Sequence, residues 1–200
     1  MNELDKHRRI FNWIAPIYNW FFQGQVANYR DVLDRYEQDL ALPPGSKILD
    51  IGCGTGAFLY CFAERGYQAT GVDFSPSMIR AAEKSTRKTE IDFQLGDVTK
   101  GLDFPDHDFD LIISSYVLHG ISKDLRATMY AEASRLTKGK VLFYDYNQRR
   151  KILSDIVEWA EGGDYFTFVR DGEKEMRAVF QDVVRHDVGP QTAIYLCRAQ

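Results

Sequence analysis

The sequence has few cysteines, no excess of basic residues and no long apolar run, and each shortage argues against a class of protein. Its three cysteines, Cys53, Cys61 and Cys197, lack the spacing of a zinc site, and its four histidines stand apart in the sequence. No window approaches the roughly 18 apolar residues of a membrane span. The formal net charge of −4 disfavours nucleic acid as a partner. We predict a cytoplasmic protein that binds no metal.

Length and composition favour one folded domain. The 200 residues are 44% hydrophobic, which suffices for the core of one α/β domain and leaves little room for a second. The charged residues at the start are not followed by the apolar stretch of a secretory signal. We expect a single domain over residues 1–200, a monomer or homodimer, with a helical N-terminal segment at 1–42 and a core at 45–200.

The most informative stretch is residues 47–58, where a short apolar run ends in three alternating glycines and helical apolar spacing follows. This pattern predicts a strand, a tight turn and a helix. Gly52, Gly54 and Gly56 permit positive φ and close approach of a ligand to the backbone, while N–H groups at the helix start attract anionic groups. An ordinary turn would need one glycine, so three indicate a ligand-binding loop.

Strand and helix patterns alternate from residue 47 onward. Strands are predicted at 47–51, 68–72, 91–95, 109–114 and 140–144, and helices at 57–65, 76–88, 123–136 and 150–161. Such alternation implies a parallel sheet with helices on both faces, in which ligands bind at the carboxyl ends of the strands. Residues 182–188 and 192–198 instead predict an antiparallel hairpin at the sheet edge. The expected fold is α/β, with seven strands, mostly parallel, and an antiparallel last strand.

Proline and glycine interrupt two further segments. Pro16 lacks an N–H and clashes with the preceding turn, so one helix is predicted to end near Ile14 and another to begin near Pro16, with helix again at 25–40. The many aromatic residues of this segment suggest a cap buried against the domain or a lid over a ligand pocket. Residues 165–180 predict a short strand, a turn at Asp171 and Gly172, and a helix.

Residues 49–56, Leu-Asp-Ile-Gly-Cys-Gly-Thr-Gly, resemble the first motif of the class I S-adenosylmethionine-dependent methyltransferases. The same stretch also fits the G-x-G-x-x-G/A fingerprint of dinucleotide-binding proteins, with Asp73 in place of the ribose-binding acid. A second acidic strand end, Asp97, favours the methyltransferase interpretation because the nicotinamide fingerprint does not require it. The predicted antiparallel tail resembles the same family.

The resemblance implies a set of contacts to S-adenosyl-L-methionine. Asp50 is suited to the cofactor's ammonium and Asp73 to its ribose hydroxyls, because carboxylates accept strong charge-assisted hydrogen bonds. Asp97 matches the family's adenine motif, and Tyr18 lies in a segment that resembles one found before the core in many small methyltransferases. The predicted cofactor-binding residues are Tyr18, Asp50, Gly52, Cys53, Gly54, Gly56, Asp73, Phe74, Met78, Asp97, Val98 and Ser114.

The sequence does not single out a catalytic residue. Methyl transfer needs a base only when the acceptor is a poor nucleophile. His119 is the best-placed candidate because an ordinary imidazole titrates near neutral pH, and Tyr18 and Tyr144 are further candidates. We predict a methyltransferase that acts on a small, partly apolar acceptor. A non-catalytic S-adenosylmethionine-binding protein and an NAD-dependent oxidoreductase are the alternatives.

Overall fold

The computed structural model describes residues 3–149 and 164–199, with the backbone alone for residues 3–21. Within these ranges the chain forms five helices and seven strands. The helices are α1 (Glu3–Leu40), α2 (Ala57–Ala63), α3 (Pro76–Ser85), α4 (Lys123–Leu136) and α5 (Tyr165–Val179). The strands are β1 (Lys47–Ile51), β2 (Gln68–Asp73), β3 (Ile91–Leu95), β4 (Phe109–Ser115), β5 (Thr137–Tyr146), β6 (Asp182–Asp187) and β7 (Thr192–Arg198). Their order in the sheet, β3-β2-β1-β4-β5-β7-β6, confirms the predicted fold class.

Residues 1–97 form the first of two compact units. Here β1 runs parallel to β2, with Asp50 opposite Gly71, and β2 runs parallel to β3, with Gly71 opposite Phe93. Ile48 and Leu49 of β1 are fully buried, as expected for a parallel strand covered on both faces. Helix α2 follows β1 and helix α3 follows β2. Helix α1 packs against both α2 and α3.

Residues 98–200 form the second unit. In this unit β4 runs parallel to β5, and β7 is antiparallel both to β5 and to β6. The predicted antiparallel hairpin of β6 and β7 is therefore confirmed. Two short 3-10 turns, Val98–Lys100 and Leu118–Gly120, precede and follow β4. The second turn contains His119.

The predicted break at Pro16 is wrong, because the backbone from Glu3 to Leu40 is one helix. A proline inside a helix removes one hydrogen bond and costs about 3 kcal/mol. A break would instead leave four N–H groups and four carbonyls without helical partners. The C-terminal part of α1 also packs on α2, where the rings of Tyr29 and Phe58 are stacked with centroids 4.4 Å apart.

The predicted strand and turn within residues 165–180 are also wrong, because α5 is a continuous helix through Asp171 and Gly172. Its buried residues recur at helical spacing, Tyr165, Phe168, Val169, Gly172 and Met176. A Cβ atom at Gly172 would lie 2.6 Å from the ring of Phe168, so this glycine is explained by packing. The helix predicted at 150–161 lies outside the described residues.

Candidate functional site

The glycine loop, residues 52–56, connects β1 to α2 in a left-handed backbone conformation. Gly52, Gly54 and Gly56 have φ angles of 77°, 54° and 74°, values that residues with a Cβ atom rarely adopt. The N–H groups of Gly52 and Cys53 both donate to the carbonyl of Val72 at the end of β2, at 2.8 and 3.1 Å. The loop is therefore fixed to the neighbouring strand.

Two of the glycines are required for different reasons. A Cβ atom at Gly56 would lie 2.8 Å from the ring of Phe93, so this position has no room for a side chain. A Cβ atom at Gly54 would meet nothing within 4 Å. The backbone at Gly54 therefore faces open space, and its contact with a ligand stays a prediction.

Asp73 connects the glycine loop to the start of α3. Its Oδ2 atom accepts from the N–H of Gly54 at 2.9 Å, and its Oδ1 atom accepts from the N–H of Ser75 at 2.9 Å. Burial raises the pKa of Asp73 to about 6, although these two backbone hydrogen bonds oppose the shift. Ser75 is the N-cap of α3, with its Oγ atom accepting from the N–H of Met78. A carboxylate has further lone pairs, so Asp73 retains capacity for a ligand.

Asp50, in β1, carries a carboxylate without a hydrogen-bond partner among the described residues. Its side chain is fully buried, and neither Oδ1 nor Oδ2 accepts a hydrogen bond. Burial, together with the nearby charge of Asp73, raises the pKa of Asp50 well above its ordinary value. A buried carboxylate is costly without a partner. A ligand ammonium would supply both the charge and the hydrogen-bond donors that this carboxylate lacks.

The helix α1 contacts the glycine loop through a side-chain pair that the sequence analysis missed. The Thr55 hydroxyl donates to Oε1 of Gln25 at 3.2 Å. Nearby, the Phe22 ring packs edge-on against Tyr60 of α2, with centroids 5.7 Å apart. Tyr18 lies within α1, and its side chain is outside the described residues. The structure thus brings the part of α1 that follows Tyr18 against the glycine loop and α2.

The other predicted cofactor residues have varied surroundings. Met78 is 3% exposed and belongs to the core, whereas Phe74 is half-buried. Asp97 and Val98 lie two and three residues after the end of β3, and both are half-buried. Ser114 lies in β4 of the second unit and is 2% exposed. The Cys53 side chain is buried, and burial raises its thiol pKa well above the ordinary value, so its backbone is the part available to a ligand.

A second cluster of polar and aromatic residues lies in the second unit at the carboxyl ends of β4 and β5. The Nδ1 atom of His119 lies 2.8 Å from Oδ1 of Asp145. Asp145 also accepts from the N–H groups of Leu118, at 2.9 Å, and Tyr146, at 2.8 Å. Tyr116 follows β4 with a φ of 54°, a strained conformation for a residue with a side chain. Strain of this kind is concentrated at functional sites.

The chain is similar to known methyltransferases in sequence and in fold. Residues 48–140 match the family model described as a methyltransferase domain. An uncharacterised methyltransferase of Bacillus licheniformis is 30% identical over 172 residues, which cover 82% of this chain and 78% of that protein. The chain belongs to the class I S-adenosylmethionine-dependent methyltransferases. The predictions of family, enzyme class and cofactor are confirmed.

Two further proteins are similar to this methyltransferase, one in sequence and one in fold. A demethylmenaquinone methyltransferase of Renibacterium salmoninarum is 29% identical over 149 residues, and the match covers 72% of this chain and 60% of the relative. The crystal structure of magnesium protoporphyrin IX methyltransferase from Synechocystis PCC 6803 with bound S-adenosylhomocysteine shares the fold, with a TM-score of 0.69 at 16% identity and complete coverage of both chains. The chain thus spans less than two thirds of the Renibacterium protein.

Several contacts of the methyltransferase were not predicted from its sequence. Asp73 supports the glycine loop as well as ending β2, and its spacing from Ser75 is the signature of an Asx turn, which could have revealed this role. Asp145 is the second-last residue of β5 and follows an apolar run, much as Asp73 follows one in β2, so the same signal could have indicated it. The pairing of Gln25 with Thr55 leaves no pattern in the sequence.

The described residues of the methyltransferase contain neither a metal-binding cluster nor a membrane-spanning helix. Among the described side chains, those of residues 22–149 and 164–199, no group of three histidine, cysteine or acidic residues is placed to hold a metal ion. None of the helices described here is long and apolar enough to cross a membrane.

Proposed function

We propose that this methyltransferase transfers a methyl group from S-adenosylmethionine to a small-molecule acceptor. The observation that carries the proposal is the glycine loop, which leaves Gly54 open to a ligand in a unit that also holds two buried carboxylates, Asp50 and Asp73. This arrangement fits a ligand with an ammonium at one end and hydroxyl donors farther along. The bound cofactor supplies an electrophilic methyl group on a positively charged sulfur.

Each group of the first unit has a role that follows from its chemistry. Asp50 accepts hydrogen bonds from the cofactor's ammonium, directly or through water. The backbone of residues 52–56 approaches the amino-acid moiety, and Asp73 accepts from the ribose hydroxyls. Asp97 accepts from the adenine amine. Val98 and Ser114, in the second unit, and Tyr18 remain predicted contacts of the same cofactor.

A small acceptor is supported by the relatives. The Renibacterium relative is named for demethylmenaquinone, and the Synechocystis structure for magnesium protoporphyrin IX. We propose that residues 1–42 serve as a lid, because α1 packs against α2 and pairs with the glycine loop through Gln25. A single domain, a cytoplasmic location, a monomer or homodimer and the lack of a nucleic-acid partner remain predictions.

Calorimetric titration tests the proposed cofactor. S-Adenosylmethionine and S-adenosylhomocysteine should both bind the purified protein with micromolar affinity, and NADH should not bind. Binding of NADH without binding of the adenosyl compounds would overturn the proposal.

Cofactor affinity is expected to rise with pH through about pH 6. The pKa of Asp73 is about 6, and only the ionised carboxylate accepts hydrogen bonds from both ribose hydroxyls. Below that pH the Kd should increase by up to about tenfold per pH unit. Asp73→Asn should weaken binding at pH 8 by roughly 1.5–3 kcal/mol, the value of a charge-assisted hydrogen bond, and should remove the change near pH 6. Calorimetry from pH 5 to 8 measures both effects.

The stability of the protein without cofactor should follow the opposite trend. Because the folded-state pKa of Asp73 lies above the ordinary value of 3.8, its contribution to stability is complete below about pH 4 and is lost as the pH rises through 6. Asp73→Asn should remove this part of the pH dependence, as measured by urea denaturation. Asp92→Asn, which alters an exposed carboxylate of β3, is the control and should change neither profile. Wild-type affinity that stays constant from pH 5 to 8 would exclude the ribose role.

A further inference from the structure

His119 and Asp145 form a fixed pair in the second unit. Their side chains are 13% and 1% exposed, and Nδ1 of His119 lies 2.8 Å from Oδ1 of Asp145. A neutral imidazole donates from one nitrogen and accepts at the other. A carboxylate beside Nδ1 assigns the proton to Nδ1, which leaves Nε2 as the basic atom.

The turn that contains His119 is held from both sides. The Leu118 N–H donates to Oδ2 of Asp145 at 2.9 Å. Nη1 of Arg126, from α4, donates to the Ile121 carbonyl at 2.7 Å. A base must be kept at hydrogen-bond distance from the proton that it removes. These contacts provide such fixed positioning.

Aromatic rings surround the imidazole. The centroid of the Tyr146 ring lies 4.9 Å from that of His119, and the rings are nearly perpendicular. Tyr116 lies 5.2 Å from Tyr144 and 5.8 Å from Tyr146, and it is 38% exposed. Aromatic rings pair favourably with another ring at such distances. A planar aromatic acceptor therefore matches this surface.

The charge of the cluster indicates which nucleophile the acceptor carries. Among the described residues, Asp145 is the carboxylate beside His119, and it already accepts three hydrogen bonds, from His119, Leu118 and Tyr146. It is therefore poorly placed to hold a positively charged amine. A neutral hydroxyl, in contrast, is a poor nucleophile that needs a base, and His119 supplies one.

We propose that the acceptor is a hydroxyl on an aromatic ring, that Nε2 of His119 removes its proton, and that Asp145 is the positioning residue for His119. This rests on the proposed function. In the reaction the acceptor O–H bond breaks and its proton moves to Nε2. An oxygen electron pair forms the new O–CH3 bond while the S–CH3 bond breaks, and the electron pair of that bond stays on sulfur, which becomes neutral. Tyr116 and Tyr146 contact the acceptor ring.

The test uses the full chain and probes that separate the ring from the nucleophile. Catechol, hydroquinone and 2-naphthol carry both a ring and a hydroxyl, cyclohexane-1,2-diol has hydroxyls without the aromatic ring, and benzylamine has a ring with an amine. Release of S-adenosylhomocysteine reports turnover of any of them. At least one hydroxyaromatic probe should be methylated and the two control probes should not. Turnover of benzylamine alone, or of no hydroxyaromatic probe, would overturn the acceptor class.

Variants test the two residues. His119→Ala should lower kcat by about 10²–10⁴-fold, the usual contribution of a general base, and His186→Ala, on the edge strand β6, should leave it unchanged. Asp145→Asn should lower kcat and move the pH of half-maximal rate downward, because the carboxylate stabilises the protonated imidazole. A lower rate with an unchanged pH profile would reduce Asp145 to a structural role, and full activity in His119→Ala would exclude the base.

The charged groups near His119 bear on its pH profile, and cofactor affinity is the control for both variants. Among the described residues, the titratable and charged groups near this histidine are Asp145 and Tyr146 of β5, Tyr116 after β4, and Arg126 of α4 with its partners Asp164 and Glu175 at α5. Both variants should bind S-adenosylmethionine as the wild type does. Failure of the wild type to bind it would overturn the proposed function itself, whereas intact binding without turnover of the hydroxyaromatic probes would overturn this inference alone.

Discussion

Replacement of Arg126 by methionine is expected to lower the free energy of unfolding by about 3–5 kcal/mol, the usual cost of removing one partner of a buried ion pair. The guanidinium is fully buried and donates to Glu175 at 2.7 and 3.0 Å and to Asp164 at 3.0 Å. Glu175 is only 11% exposed, so Arg126→Met would leave its carboxylate buried beside an apolar side chain. Urea denaturation followed by circular dichroism measures the change.

A surface arginine of the same unit is the matched control. Arg177 is 51% exposed and pairs with Glu173 one helical turn away at 2.8 Å. Arg177→Met should cost less than about 1 kcal/mol, as exposed pairs usually do. Arg126→Met combined with Glu175→Met removes both charges and should recover part of the loss. Equal effects at the two arginines would show that the buried ion pair does not stabilise the fold.

Gly56→Val is expected to destabilise the first unit and to weaken cofactor binding. The residue has a φ of 74°, and its Cβ atom would lie 2.8 Å from the Phe93 ring. Overpacking of a core usually costs 1–3 kcal/mol, and left-handed strain adds roughly 1–2 kcal/mol, so we expect a loss of about 3 kcal/mol. The Kd for S-adenosylmethionine should rise at least about tenfold. Denaturation and calorimetry measure the two quantities.

Gly54→Ala separates the two effects. This glycine has a φ of 54°, but its Cβ atom would meet nothing within 4 Å. Its cost in stability should therefore be the strain alone, roughly 1 kcal/mol. If the open space at Gly54 is where the cofactor approaches, affinity should fall as much as in Gly56→Val. A Gly54→Ala variant with normal affinity would place the cofactor elsewhere.

The elements that could be predicted from the sequence are those with a local signal. The strand, loop and helix around Gly52, the Ser75 cap and the antiparallel β6 and β7 depend on residues close together in the chain. Asp50 and Asp73 were predicted as cofactor contacts in part because each stands at or near the end of an apolar strand, and these contacts stay predictions. An acidic residue at the end of an apolar strand can be recognised in a single sequence.

Contacts between distant residues could not be predicted in this way. His119 and Asp145 are 26 positions apart, and Arg126 and Glu175 are 49 apart, so no spacing rule links them. The turn at Asp171 and Gly172 was predicted wrongly because glycine next to aspartate favours a turn. In the structure Gly172 lies within a helix, and its lack of a side chain leaves room for the ring of Phe168. Tertiary packing decided these cases against local preference.

The position of β7 has a consequence for synthesis of the chain. In the sheet this strand lies between β5 and β6, although it follows both in the sequence. While a ribosome is still making residues 192–198, β5 presents an unpaired edge and β6 has no strand beside it. Exposed strand edges promote association between chains. The nascent protein is therefore expected to be more prone to association until β7 has left the ribosome and paired with β5, and a chaperone that shields this edge would act before then.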